Sequence, residues 1–368
     1  MEIKNLFKGV YNNKRVVITG HNGFKGSWLT YWLSEMNANV TGISLGVEND
    51  ELNHSSVLES NYNSVIQDIT DRDGITEVIL KANPDIIFHL AAQSLVRESY
   101  YDPYETYMTN VMGTLNVLDA ARTSGNVKAI IIVTSDKCYD NKEWHWGYRE
   151  NEAMGGKDPY SSSKGCAELL TASYRNSFFN LDTYGKEHNT LLASVRAGNV
   201  IGGGDWAKDR IIPDMIKAAF KNENLIIRSP MATRPWQHVL EPLSGYLSIG
   251  AELLNKKTSY ATGWNFGPEN GSNQHVIDIV EKSKKYWNKI KFELDKNSTL
   301  HEAQNLMLDS SKAKRELKWF PVWSYITTIE QTIAWYKSFY EEKEIITQKQ
   351  LYKFINDAKT KKIEWSKS

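Results

Sequence analysis

The segment that most constrains this chain leads from a short apolar stretch, residues 14–19, through Thr19-Gly-His-Asn-Gly-Phe-Lys-Gly26 into an amphipathic stretch at 24–36. Arg15-Val-Val-Ile18 has the length and β-branching of a buried strand, and 24–36 carries helical periodicity. Gly20, Gly23 and Gly26 fall at the junction, with Asn22, Phe24 and Lys25 between them. A backbone without Cβ can turn tightly there and come close to a ligand. Strand, glycine turn and helix N-terminus together make a cradle for a dinucleotide pyrophosphate. The spacing is Gly-x-x-Gly-x-x-Gly, which an ordinary strand-to-helix turn also uses. The flanking elements stand where nucleotide binding needs them, and that favours the binding reading.

The alternation continues through the first 200 residues. Candidate strands lie at 40–45, 64–67, 85–90, 129–134 and 190–195, and candidate helices at 72–81, 104–123 and 160–179. This predicts an α/β fold, a Rossmann-like doubly wound parallel sheet. After Gly202-Gly203-Gly204 the pattern loses regularity, and Pro213, Pro230, Pro235 and Pro242 break short segments. A smaller C-terminal substrate-binding region is expected there. The expected division is 1–202 for the nucleotide domain and 203–340 for the substrate region, with the chain crossing between them. Residues 341–368 read as a charged tail poor in apolar residues, either a peripheral helix or partly frayed.

A second feature names a chemistry. Tyr160-Ser-Ser-Ser-Lys164 places a phenol and an ammonium four residues apart, on one face of a helix. A tyrosine at its ordinary pKa of about 10 is a poor base at neutral pH. A cation beside it favours the phenolate, which can take a hydroxyl proton while hydride leaves the same carbon. With 19 tyrosines in the chain this spacing arises by chance, so the pair gains its meaning from the glycine turn upstream.

Composition narrows the classes. At 368 residues the chain can bury a large core, and its 44 basic and 44 acidic residues leave no net field for nucleic acid or an anionic membrane. No stretch approaches the roughly 20 apolar residues of a membrane span, and the opening residues carry no apolar signal segment. A cytoplasmic location is expected. Cys138 and Cys166 have no metal or redox spacing and the eight histidines are scattered, so reduced thiols and no metal site are expected.

Four segments then carry a resemblance. Residues 19–29, His89-Leu-Ala-Ala-Gln93, Thr134-Ser-Asp-Lys-Cys-Tyr139 and Tyr160-Ser-Ser-Ser-Lys164 resemble the extended short-chain dehydrogenase/reductase family. Within it, residues 147–152, Arg196-Ala-Gly-Asn-Val-Ile-Gly-Gly-Gly-Asp-Trp206 and Arg234-Pro-Trp-Gln-His-Val239 are most like the CDP-glucose 4,6-dehydratase subfamily. The resemblance spans about 14–336. It implies loss of water from CDP-glucose to give CDP-4-dehydro-6-deoxyglucose, in deoxysugar and surface-polysaccharide (O-antigen) biosynthesis. NAD would stay tightly bound and be recycled at every turnover. Many NAD-binding relatives end the second strand in an acid that binds the ribose; here Ile43-Ser44-Leu45 stands instead, so repulsion of a 2'-phosphate is weakened, Lys25 could attract one, and NADP stays open.

By position in that family, Tyr160 is the base at C4 and Lys164 its partner. Ser135 bonds the C4 oxygen and Asp136 is the acid at C6. Lys137 stands where related dehydratases carry glutamate, and either it or Tyr160 is the base at C5. The cofactor is expected against Gly20, Asn22, Gly23, Phe24, Lys25 and Gly26, with Asp68 and Ile69 flanking adenine. Leu90, Ala91 and Ala92 would line its ribose, and Tyr160 and Lys164 meet its reactive end. Gln93, Ser94 and Arg97 are expected to face the sugar, and Asn199, Arg210 and Arg234 the diphosphate, with Arg196 set aside as structural. Trp144-His145-Trp146 either closes over substrate or anchors its loop. Nothing in the sequence marks cytosine over uracil. The resemblance also implies a homodimer, or a dimer of dimers, pairing through the helix that carries Tyr160. Two rival readings remain open. A nucleotide-sugar 4-epimerase has no use for Asp136-Lys137, and a non-catalytic dinucleotide sensor has no use for Tyr160 and Lys164.

Overall fold

The computed structural model describes residues 3–46, 61–269, 273–295 and 306–367. Its first half lays down β1 (Arg15–Thr19), α1 (Phe24–Glu35), β2 (Asn39–Ser44), β3 (Asn63–Ile66), α2 (Arg72–Ala82) and β4 (Ile86–His89). Three helices follow, α3 (Val96–Tyr101), α4 (Pro103–Tyr107) and α5 (Gly113–Ser124), then β5 (Ala129–Val133), α6 (Pro159–Ser177) and β6 (Leu191–Ala197). The predicted helix at 104–123 is thus α4 and α5 joined through a π-helical turn at Met108–Met112. That turn carries Asn110, whose amide donates to the Gln93 carbonyl and to Ser163 Oγ and so ties the loop after β4 to α6.

The second half adds β7 (Val200–Ile201), α7 (Ile211–Lys221), β8 (Leu225–Ile227), β9 (Thr233–Pro235), β10 (Gln237–His238) and α8 (Leu240–Leu254). It ends with β11 (Gly263–Phe266), β12 (Asn273–His275), α9 (Val276–Tyr286), β13 (Phe292–Leu294), α10 (Tyr325–Lys337) and α11 (Thr347–Thr360). Seven strands form one sheet in the order β11-β6-β5-β4-β1-β2-β3, and every pairing in it is parallel. The strand order reverses between β1 and β4, which opens a crevice at the strands' carboxyl ends. Because both faces are covered, β4 and β5 are buried at every position instead of alternating. β11, from beyond residue 202, pairs with β6 at the edge of this sheet.

One face of the sheet packs on α2 and α5 through Ile75, Ile79, Val117 and Leu118. The larger core on the other face takes in α1, α8 and α11, so of the two alternatives for the tail the helix is the one seen, and it is packed into the core. Leu351, Phe354, Ile355 and Ala358 are fully buried, and Trp365 stacks between Phe7 and Phe354 with ring centroids 5.4 and 5.8 Å away. The tail is a helix, and its apolar residues recur at i, i+3, i+4 and i+7, which makes one buried stripe out of a charged sequence.

Candidate active site

Two glycines in the turn after β1 are there for backbone reasons. Gly20 has φ +74°, and a Cβ on it would come 2.8 Å from the Ala91 nitrogen. A Cβ on Gly26 would meet the Gly20 carbonyl oxygen at 1.9 Å. The turn therefore presses α1 against β1 and brings Ala91 beside the cradle. Gly23 is the N-cap of α1 with extended backbone, and no side chain caps the helix. The N-terminus of this 12-residue helix follows directly on the glycine turn, the arrangement that pyrophosphate binding uses. Asn22 closes the turn by donating to the Leu45 carbonyl. At the tip of β2, His21 Nδ1 and Ser44 Oγ are 3.0 Å apart, and His21 Nε2 lies 2.9 Å from Ser64 Oγ. Asp68 turns back on Thr70 and Ile69 packs under Gly113, so both shape the third strand's end through local contacts.

The catalytic candidates gather at the carboxyl end of β5. Pro159 opens α6 and Asp158 caps it by accepting from the Ser161 amide at 2.9 Å, which fixes Tyr160 in the first turn and Lys164 one turn on. Ser135 donates to Asp136 Oδ1 at 2.8 Å and acts on the Tyr160 phenol. Burial holds the Asp136 carboxyl above the usual range, although Lys137, Ser135, Lys25 and Arg234 all pull it down. Burial likewise pushes the Tyr160 phenol up to about 12, with Ser135 and Arg210 opposing.

Arg210 is a cation that draws the Tyr160 phenol down, and burial followed by Lys25 lowers Lys164 to about 8, with Cys138 and Glu168 opposing. Lys25 does not reach toward an adenosine 2'-phosphate. It is lowered to about 8 by burial and then Arg210, with Asp136 and Asp205 opposing, so its ammonium belongs to the β5 end. That end is three strand spacings from the tip of β2.

The proposed sugar and phosphate contacts divide. Gln93 spends its amide inside its loop, donating to the Leu95 carbonyl and Thr106 Oγ1 and accepting from the Leu95 amide. It is a loop brace, contrary to the expectation that it faces the sugar. Ser94 accepts from Arg210 at 3.0 Å, and Arg210 also donates to Asp205 at 3.0 Å. Arg97 pairs with Asp209 at 3.0 Å. Arg234 acts on Asp136, and Asn199 lies at the turn into β7. Leu90 and Ala92 flank Ala91 at the crevice, both partly exposed. Trp144 stacks on Tyr148 and meets Trp146 at a tilt of 41°, and the two indoles remain 39% and 56% exposed.

Sequence reasoning missed Glu168, Tyr139 and Asp205. Glu168 and Arg196 form an ion pair with both side chains 4% exposed, and Thr134, Ser194 and Tyr139 complete their hydrogen bonds. Glu168 was within reach, since it is four residues beyond Lys164 on the same face. Among the described residues no group of side chains could hold a metal ion, and no helix is long and apolar enough to cross a membrane.

A parallel sheet in this order, a glycine cradle at its reversal point and a tyrosine, serine and acid at the next strand end define a dinucleotide-dependent, alcohol-deprotonating class of site. The model of the GDP-mannose 4,6 dehydratase family matches residues 17–332, and the chain belongs to that family. The CDP-glucose 4,6-dehydratase of Salmonella typhimurium is 49% identical over 341 residues, covering 92% of this chain and 95% of its own. A probable dTDP-glucose 4,6-dehydratase of Sinorhizobium fredii is 26% identical, with 88% and 92% covered. Among solved structures, the epimerase Mth375 of Methanothermobacter thermautotrophicus has a TM-score of 0.79 at 24% identity, covering 95% of this chain and 98% of that one. The dTDP-glucose 4,6-dehydratase of Bacillus anthracis, in complex with NAD, has a TM-score of 0.72 at 22% identity, covering 89% and 97%.

Proposed function

We propose that this protein is a CDP-glucose 4,6-dehydratase, converting CDP-glucose to CDP-4-dehydro-6-deoxyglucose and water in deoxysugar biosynthesis. The observation that carries the reaction class is Ser135, which donates to a buried carboxyl held above its usual pKa and draws the Tyr160 phenol down, so that an acid and a base share one strand end. The 49% identity to the Salmonella enzyme over nearly the whole chain supports the substrate. NAD fits the glycine cradle and the uncapped α1, with Leu90, Ala91 and Ala92 along the same crevice. When bound, it supplies the hydride acceptor for C4 and the hydride donor for C6.

The chain's own groups move the protons. Tyr160 takes the C4 hydroxyl proton while Ser135 holds the oxygen, and Arg210 lowers the cost of the phenolate. The C4 ketone acidifies the C5 proton, which is removed by Lys137 in its neutral form, or by Tyr160 once it has passed the C4 proton on to solvent. Asp136 protonates the C6 hydroxyl, which leaves as water; the elimination shifts the C5–H electrons into a C5–C6 double bond. C5 is reprotonated as C6 is reduced. An epimerase has no leaving hydroxyl to protonate, so a buried acid beside the phenol favours dehydration.

Incubation of the protein with CDP-glucose in heavy water tests the reading. A 4-keto-6-deoxy product with deuterium at C5 is expected without added reductant; unchanged CDP-glucose, with added NAD also failing, overturns it. Pairing of two copies belongs to the same reading. Leu169 and Phe178 on the α6 segment and Tyr100, Tyr101 and Tyr104 on α3 and α4 are exposed, and burying such a patch favours a homodimer or a dimer of dimers. A cytoplasmic location also follows from this reading, with two free thiols and a nucleotide-sugar substrate.

A further inference from the structure

The loop that leads from β7 into α7, residues 202–210, ends in Arg210, and one residue within it has every polar atom engaged. The Asp205 amide donates to the Tyr336 hydroxyl at 2.9 Å, and that hydroxyl donates in turn to the Asp205 carbonyl at 2.7 Å. Asp205 Oδ1 accepts from the Ala207 amide at 3.2 Å, and Oδ2 accepts from Arg210 at 3.0 Å. Tyr336 belongs to α10, is fully buried, and lies 131 residues along the chain from Asp205. The Trp206 ring meets that of Tyr336 edge-on, with centroids 5.4 Å apart. From α1, Trp28 Nε1 donates to the Gly203 carbonyl at 3.0 Å. The loop is therefore tied both to the helix that follows the glycine turn and to a helix from the far end of the chain.

What these ties hold is a guanidinium. Arg210 stands just ahead of the first turn of α7, with its side chain 35% exposed. Its Nη1 is taken by Asp205 and its Nη2 by Ser94 Oγ, at 3.0 Å, in the loop after β4. A planar fork held at two nitrogens keeps its plane and its position, where a free arginine would sample many rotamers. Burial raises the Tyr160 phenol most; Ser135 and Arg210 draw it down, while Asp136 and Asp158 push it up. Arg210 in turn interacts with Asp205, Tyr160 and Tyr336. Resting on the dehydratase reading, we propose that Asp205, braced by Tyr336, is a positioning residue for C4 oxidation: it sets the Arg210 guanidinium beside the forming Tyr160 phenolate and itself touches neither substrate nor cofactor. A cation already in place when charge develops on the base costs no reorganisation at that moment.

The test is a double-variant cycle on the full-length protein with its cofactor, following CDP-glucose conversion across pH. Asp205→Ala is expected to lower kcat by about 10- to 100-fold. It should also move the low-pH limb of kcat/KM, which reports ionisation of the base, to higher pH. Asp205→Asn still offers Arg210 an acceptor and is expected to recover part of the loss. Arg210→Gln should cost at least as much as Asp205→Ala, and the two together should cost less than about twofold more than Arg210→Gln alone, because nothing is left to position. Tyr336→Phe removes only the brace, should lower kcat by a smaller factor, and takes the place of Asp205→Ala in the cycle if that variant does not fold. Losses that multiply in the double variant, or a wild-type kcat and pH profile in the folded single variants, overturn the proposal while leaving the dehydratase reading intact. A wild-type protein that converts no CDP-glucose overturns both.

Discussion

Lys164 and Glu168 sit one turn apart on the same face of α6, and their surroundings are opposites. Glu168 is matched at every oxygen, by Thr134, Ser194 and a two-point contact with Arg196, and these partners hold its carboxyl below the usual range in spite of burial. Lys164 lies in a cluster where burial wins. Asp136 and Tyr160 are pushed toward their protonated forms, while Lys25 and Lys164 are pushed toward their neutral ones. The first cluster fixes β5, β6 and the 139–150 segment to one another. In the second, burial favours the uncharged form of every group, which brings the two lysines to about 8 and raises the carboxyl and the phenol. In one buried network the ionised forms are matched by partners, and in the other burial outweighs the partners and favours the uncharged forms.

The contrast can be broken from either side, and the largest effect is expected at the Lys164 cluster. Tyr160→Phe should lower turnover by about 10²- to 10⁴-fold while the folded protein keeps its cofactor, read by product formation and by nicotinamide content after gel filtration. If turnover survives, the phenol is not the base. Next in size is the Glu168 cluster. Glu168→Ala strands the Arg196 guanidinium in the interior and should cost about 3–5 kcal/mol in denaturant unfolding. A loss under 1 kcal/mol would mean that the pair does not hold the core together.

The smallest effect sharpens the comparison through pH. Lys25 has a folded pKa of about 8, below its ordinary 10.5, so between those values the unfolded chain binds more protons than the folded one. Stability should therefore rise with pH across that window, by an amount on the order of 1–2 kcal/mol from this residue. Lys164 contributes with the same sign in the same window. Lys25→Met should flatten the rise without abolishing it, measured as thermal midpoints at pH 7.5 and about pH 10. An unaltered slope would place the Lys25 ammonium in solvent.

Much of this was legible in the residues. The strand and helix alternation gave the sheet because each βαβ unit is a local pattern, and Tyr160, Lys164, Ser135 and Asp136 fall at strand and helix ends that the same pattern locates. What escaped had a physical reason. The 341–368 tail was judged by its charge, whereas Leu351, Phe354, Ile355 and Ala358 are buried by their spacing. Gln93 reads as a polar residue at a strand end, but a short loop uses its amide for itself. Lys25 sits in a phosphate-binding turn, yet a four-carbon stem lets its charge act at the neighbouring strand end. Asp205 is braced by Tyr336 only because α10 folds back on the loop before α7, which no local pattern encodes.

The central claim, that the Lys164 cluster is the acid and base machinery of a dehydration, is tested most directly by Asp136→Asn given CDP-glucose. The account predicts that C4 oxidation persists while elimination stalls, so that reduced nicotinamide accumulates on the protein and no 6-deoxy sugar forms. Formation of the 4-keto-6-deoxy product at the wild-type rate would contradict it.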